Sequence, residues 1–209
     1  MTYIDISPVL SPAIAVWPGD TPLQREVLCD ITSGSNIDLS TIKSTVHVGA
    51  HVDAPRHYHK NGKTIESVNL DAYLGRCYVH SVLGKALITA HDCELAISTG
   101  AKRILFRTDS FPNPNIFNED FSAFSPDAID AMGVAGIKLI GIDTPSVDPF
   151  HSKDLKAHQC LYKHGIANLE GIVLEKASDG HYELIALPLR LEGFDASPVR
   201  AILKPIRDQ

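Results

Sequence analysis

His47-Val48-Gly49-Ala50-His51-Val52-Asp53-Ala54-Pro55-Arg56-His57-Tyr58-His59 places four histidines and one aspartate within 13 residues. In an extended chain alternate side chains share a face, so His51 and Asp53 point the same way. His47 has the same parity, and Gly49 between it and His51 lets the backbone bend or pass close to an ion. Imidazole nitrogen and carboxylate oxygen suit borderline divalent cations such as zinc, provided three or four of them converge. Ala54-Pro55 is expected to stop any helix and turn the chain, placing His57 beyond the first cluster. The helical H-E-x-x-H of zinc proteases is a poor description, because no glutamate follows the first histidine and Val48-Gly49 is a weak helix centre. Taken singly, each residue has a plainer role. A lone histidine is usually a surface or satisfied core residue, which is the reading for His59, His80, His91, His151 and His181. Asp53 before Ala-Pro is also a turn former. Together on one face, however, the three would crowd buried charge without benefit unless they bind something.

Outward from this stretch, β-type runs lie at 42–48, 76–82, 103–107, 139–142 and 182–188. Helical patterns cover 89–95, 125–132 and 154–163. The second begins Ser125-Pro126-Asp127, a capping residue followed by proline at the first helical position. Residues 7–24 hold Pro8, Pro12, Pro18 and Pro22, so an extended, turn-rich arm is expected there, carrying the only tryptophan, Trp17. Strands outnumber helices and the two are interleaved. The fold class is therefore mixed α/β (α+β), one domain over 1–209 built around a central β-sheet.

The 209 residues include 19 Lys plus Arg and 25 Asp plus Glu, a net charge of −6, with ordinary globular hydrophobic content of 44%. That composition argues against disorder, and the acidic balance argues against nucleic acid or an anionic membrane as partner. Cys29, Cys77, Cys93 and Cys160 are too widely spaced for a zinc knuckle or a disulfide framework, and they read as reduced, mostly buried thiols. The N-terminus lacks a basic segment followed by an apolar one, and no run has the roughly 18 apolar residues of a membrane span. A cytoplasmic protein is expected. The G-x-S-x-G elbow and the common phosphate-binding loops are also missing, and none of the four cysteines sits in an activating context.

A second group lies downstream. His158 falls in the third helical pattern and Glu170 in Asn168-Leu169-Glu170-Gly171, twelve residues later. Both types are common on surfaces, and spacing alone does not join them to the first cluster.

The segment His47 to His57 fits H-x-G-[T/A]-H-x-D-x-P-x-H, and with it the sequence resembles the metal-dependent cyclase-like hydrolases. Within them it is most similar to the bacterial kynurenine formamidase (arylformamidase) branch. Ile4-Asp5-Ile6-Ser7, Trp17-Pro18-Gly19-Asp20, Arg107-Thr108, the run from Gly141 to Pro149 and that from Phe194 to Arg200 carry the resemblance along the chain. It implies a compact swivelling β/β/α-type domain, usually a homodimer, with two zinc ions per subunit and manganese as the alternative metal. By the same resemblance, His47 and His51 would bind one ion and His158 the other, with Asp53 and Glu170 bridging. His57 would be the acid/base, and Trp17 would contact an aromatic substrate. The implied reaction is hydrolysis of N-formyl-L-kynurenine to L-kynurenine and formate, in tryptophan degradation. An isatin hydrolase or another amide or lactam hydrolase is the near alternative. A metal-binding structural protein is the distant one, disfavoured because structural zinc is normally closed by four Cys or His ligands.

Overall fold

The computed structural model describes residues 3–206. Its strands, in chain order, begin with β1 (Ile4–Asp5), β2 (Gln24–Cys29), β3 (Leu39–Lys43), β4 (His51–Asp53), β5 (Leu74–Ser81), β6 (Leu87–Ile88) and β7 (Arg103–Arg107). They continue with β8 (Ala123–Phe124), β9 (Leu139–Ile142), β10 (Ala167–Leu169), β11 (Gly180–Ile185), β12 (Ala196–Pro198) and β13 (Ile202–Pro205). Three α-helices intervene: α1 (Ala90–Ser98), α2 (Pro126–Val134) and α3 (Lys156–His164).

Seven strands form one sheet in the order β1-β13-β11-β5-β7-β9-β10. The half from β5 to β10 is parallel, and the half from β5 back to β1 pairs antiparallel. Of the parallel strands, the central β7 and β9 have interiors apolar on both faces, as burial between two layers requires. Alternation then sorts their side chains. Ile104, Phe106, Ile140 and Ile142 pack with Ile129 and Met132 of α2 and Leu161 of α3. Leu105 and Leu139 face the other way and pack with Val52 of β4 and Leu184 of β11. The sheet thus lies between a helical layer and a layer containing the β4–β12 ribbon, a mixed α/β fold. No helix among the described residues is long and apolar enough to cross a membrane.

Two local expectations need correction. The run 42–48 is strand only as far as Lys43, the end of β3, and the chain then bends through Gly49. Gly49 holds φ +56°, a left-handed value that an alternating strand cannot accommodate. Pro55 does not stop a helix but opens one turn of 3-10 helix, Pro55–His57, because its fixed φ and missing N–H suit a first helical position.

Candidate metal centre and active site

Strand β4 is buried along its length and delivers His51 and Asp53 on one face, as their spacing predicts. The backbone of His51 exchanges hydrogen bonds with Glu170, N–H to carbonyl at 3.1 and 2.9 Å, which joins the end of β10 to β4. Glu170 is therefore not in a free loop. The approach is close enough to require glycine next door. A Cβ on Gly171, at φ +64°, would lie 2.2 Å from the Gly49 carbonyl oxygen.

Helix α3 brings His158. Leu155 precedes the helix in a left-handed conformation and offers no capping side chain. Asp148 supplies the missing acceptor: its carboxylate takes the N–H groups of Ala157 (2.9 Å) and His158 (3.0 Å). The same carboxylate sits 2.7 Å from His158 Nδ1. One residue thus caps the helix and orients the imidazole.

The five residues His47, His51, Asp53, His158 and Glu170 come together as two trios that share Asp53: His47, His51 and Asp53, and Asp53, His158 and Glu170. Whether a cation fits there is decided by where protons can sit. His51 Nδ1 lies 2.9 Å from the Gly49 carbonyl, His158 Nδ1 faces Asp148, and His47 Nε2 is 3.0 Å from Asp195 Oδ2. Carbonyl and ionised carboxylate oxygens only accept, so these outer ring nitrogens carry the hydrogens. When a cation takes the inner position the rings are neutral and would turn inner lone pairs to it; those inner nitrogens lie beside carboxylate oxygens. His47 Nδ1 is 3.1 Å from Asp53 Oδ1, His51 Nε2 is 3.3 Å from Glu170 Oε2, and His158 Nε2 is 3.3 Å from Asp53 Oδ2. Asp53 Oδ1 is enclosed, and its neighbour His47 Nδ1 at 3.1 Å is not aligned for a hydrogen bond of good geometry. Lone pairs converging on an unsatisfied buried carboxylate are what divalent cations satisfy, and the donors, nitrogen and oxygen without sulfur, fit zinc.

Without a cation the cluster holds protons in its place. Burial opposes charge on His47, but Asp53 and Asp195 hold its imidazolium up to about 9. Burial likewise opposes charge on His158, yet Asp148, Asp53 and Glu170 raise it well above the usual imidazole range. Burial works against ionised Asp53 too, and the His158 and His47 contacts keep it well below the usual carboxylate range.

A cavity of about 650 Å³ opens over the cluster, lined by His47, His51, His57, His158 and Glu170 on one side. Trp17, Phe111 and Phe117 line another part of it. Trp17 packs tilted against Phe150 at 4.9 Å and edge-on to Phe117 at 5.4 Å between ring centroids. His57 is the most exposed of the cluster, its side chain 34% accessible, with its ring centroid 4.1 Å from that of His47. Three residues of the site were not singled out in the sequence: Asp148, Asp195 and Asn168. The last is fully buried and donates to Asp53 Oδ2 at 2.8 Å and Glu170 Oε1 at 3.1 Å, holding both carboxylates. Asn168 and Glu170, two apart at the end of a strand, carry a weak signal of a shared face; the signal for Asp148 and Asp195 is their place in the Gly141 to Pro149 and Phe194 to Arg200 runs that carry the resemblance.

Residues 4–149 match the Cyclase family. The chain belongs to that family. The Cyclase match takes in Trp17 and the whole of His47–His57 and ends before His158 and Glu170, which the geometry above joins to the site. Among solved structures, this Cyclase member is similar to a potential metal-dependent hydrolase with cyclase activity, at 26% identity and TM-score 0.81 over 97% of this chain and 96% of that one. It is also similar to a predicted metal-dependent hydrolase from Bacillus stearothermophilus, at 25% identity and TM-score 0.80 over 97% of each chain. An isatin hydrolase bound to the product analogue thioisatinate shares the fold at TM-score 0.81, with 20% identity over 96% and 91%.

Proposed function

We propose that the chain is a metal-dependent hydrolase of aromatic amides, with N-formyl-L-kynurenine as substrate and L-kynurenine and formate as products. The observation that carries the hydrolase reading is the pair of N/O trios sharing Asp53 beside a cavity with aromatic residues in its wall. Two similar structures, at 25 and 26% identity, are described as potential or predicted metal-dependent hydrolases, which supports the same class. The formyl anilide rests on the resemblance of Trp17, His47–His57 and the Gly141 to Pro149 run to the formamidase branch.

His47 and His51 would hold one zinc ion and His158 the other, with Asp53 and Glu170 shared between them; Glu170 Oε2 lies 3.3 Å from His51 Nε2. Such ions supply a lowered water pKa, to about 7, and polarisation of a carbonyl oxygen. The chain's own residues do the rest. Trp17 presents an indole face or edge to the aryl ring, worth roughly 0.5–1.5 kcal/mol beyond the area buried. His57, at the cavity edge, takes a proton from the attacking water as its oxygen bonds to the formyl carbon. It returns that proton to the anilide nitrogen as the C–N bond breaks, and formic acid then ionises to formate. Acid–base help of this kind is typically worth about 10²–10⁴ in rate.

Assays with both candidate substrates test the reading. Activity should disappear on chelation and return with zinc, and kcat/KM for N-formyl-L-kynurenine should exceed that for isatin by a wide margin. A preference for isatin, a lactam without a formyl group, would remove the formamidase reading and leave the metal hydrolase. The reading includes a homodimer. The β2–β3 ribbon supports it, with Val27 51%, Leu28 52% and Ile42 68% exposed, more apolar surface than an isolated ribbon keeps in water. Light scattering should give twice the 22.7 kDa chain mass, and a monomer at micromolar concentration would refute this part.

A further inference from the structure

Asp195 stands just before β12, and its position is set by backbone rather than by its side chain. Its carbonyl accepts the Ala54 N–H at 2.8 Å, and the next residue, Ala196, pairs with Asp53. The ribbon that presents His51 and Asp53 thus carries Asp195 with it. A single carboxylate oxygen, Oδ2, lies 3.0 Å from His47 Nε2 and 3.4 Å from His57 Nδ1. Asp195 is the only side chain among the described residues that hydrogen-bonds His57, which otherwise rides on one turn of 3-10 helix.

We infer that Asp195 is a positioning residue for two histidines with different tasks. The inference rests on the proposed hydrolase reading, in which His47 is a ligand and His57 the proton carrier. An ionised carboxylate can only accept, so each ring nitrogen facing it bears hydrogen. In the zinc-bound protein, where Nδ1 of His47 is the ligand atom, this keeps the ring's one hydrogen on Nε2; without zinc Nδ1 faces Asp53 Oδ1 at 3.1 Å and bears a hydrogen as well. For His57 it puts the hydrogen on Nδ1 and makes Nε2 the atom that takes and returns a proton. Partners of this kind fix both the tautomer and the ring orientation of a histidine. Because both bonds end on one oxygen, the ligand ring and the proton-carrying ring are held at a set separation, 4.1 Å between centroids.

Two variants and one spectroscopic measurement test this. Asp195→Ala should weaken zinc binding about 10–100-fold in competition with a chromophoric chelator. At saturating zinc it should lower kcat for N-formyl-L-kynurenine about 10-fold or more, with KM within a few-fold, as loss of proton-transfer geometry requires. Asp195→Asn keeps an acceptor oxygen and should recover much of both losses. In a His57→Ala background, Asp195→Ala should cost little further kcat while still weakening zinc. Long-range ¹H–¹⁵N spectra of the unsubstituted protein with zinc bound should show His57 as the Nδ1–H tautomer and His47 with hydrogen on Nε2, a readout that needs no variant. Ordinary zinc affinity and kcat in Asp195→Ala, or the opposite tautomers, would overturn the inference. If instead His57→Ala alone leaves turnover intact, the acid–base reading of the site has failed, and the zinc and His47 arms still judge Asp195.

Discussion

At the scale of single residues, the proposed metal positions are ones where buried protons sit in the metal-free cluster. His47 is the clearest case, because Asp53 and Asp195 outweigh burial and raise its folded-state value to about 9, against an ordinary 6.5. A group whose pKa rises on folding stabilises the fold fully below its unfolded value and loses that contribution as pH climbs through the folded one. In metal-free protein the contribution is therefore present at pH 6 and gone above pH 9. His158 shifts in the same direction. Asp53 is shifted downward, so its contribution is already complete above pH 4 and constant through this window. The thermal unfolding midpoint of chelator-treated protein should accordingly fall between pH 6 and 9.5. Added zinc should reverse the trend, since deprotonated imidazoles bind it better. A flat profile in the metal-free protein would show that His47 is not paired as described.

At the scale of elements, the site depends on how closely three pieces of chain approach. Strand β4 must meet the end of β10, and α3 must point its first turn at both. Gly171 is where the first contact is tightest. Its φ of +64° costs any other residue about 1–2 kcal/mol. A Cβ 2.2 Å from the Gly49 carbonyl adds overpacking worth about 1–3 kcal/mol more. Gly34 provides the comparison, with φ +92° and nothing within 4 Å of the added carbon. Gly171→Ala should lower stability in a urea titration by about 2–5 kcal/mol, and Gly34→Ala by only the backbone share of about 1–2 kcal/mol. Equal losses would mean that the backbone approach at Gly49 is not tight. Asp148 secures the other contact, since the carboxylate that caps α3 also holds His158, so helix start and imidazole orientation are a single event.

At the scale of the whole molecule, what was legible in the sequence follows from how local each cause is. β7 and β9 coincide with the runs 103–107 and 139–142, because strands buried on both faces are apolar throughout. α2 begins at Pro126, as proline at a first helical position indicates, but Ser125 does not cap it: its hydroxyl donates to the Ile88 carbonyl at 2.9 Å. β10 escaped notice because it is three residues long with a buried asparagine at its centre. The run 42–48 misled because its alternation continues past Lys43, where the strand ends and the chain begins the bend that carries His47 to Gly49. In the site, His47 to His57 form one contiguous pattern and could be read directly. Asp148 and Asp195 lie in runs that carry the family resemblance, but they and Asn168 acquire roles only where the fold sets them against imidazoles and carboxylates.

The central claim is that Asp53 serves two cation positions at once, and elemental analysis of zinc-reconstituted protein addresses it most directly. The protein should hold two zinc ions per chain after removal of excess metal. Asp53→Asn, with nearly the same volume and no negative charge, should retain less than one while keeping its circular dichroism. Two ions in Asp53→Asn, or no stoichiometric zinc in the unsubstituted protein, would contradict the account.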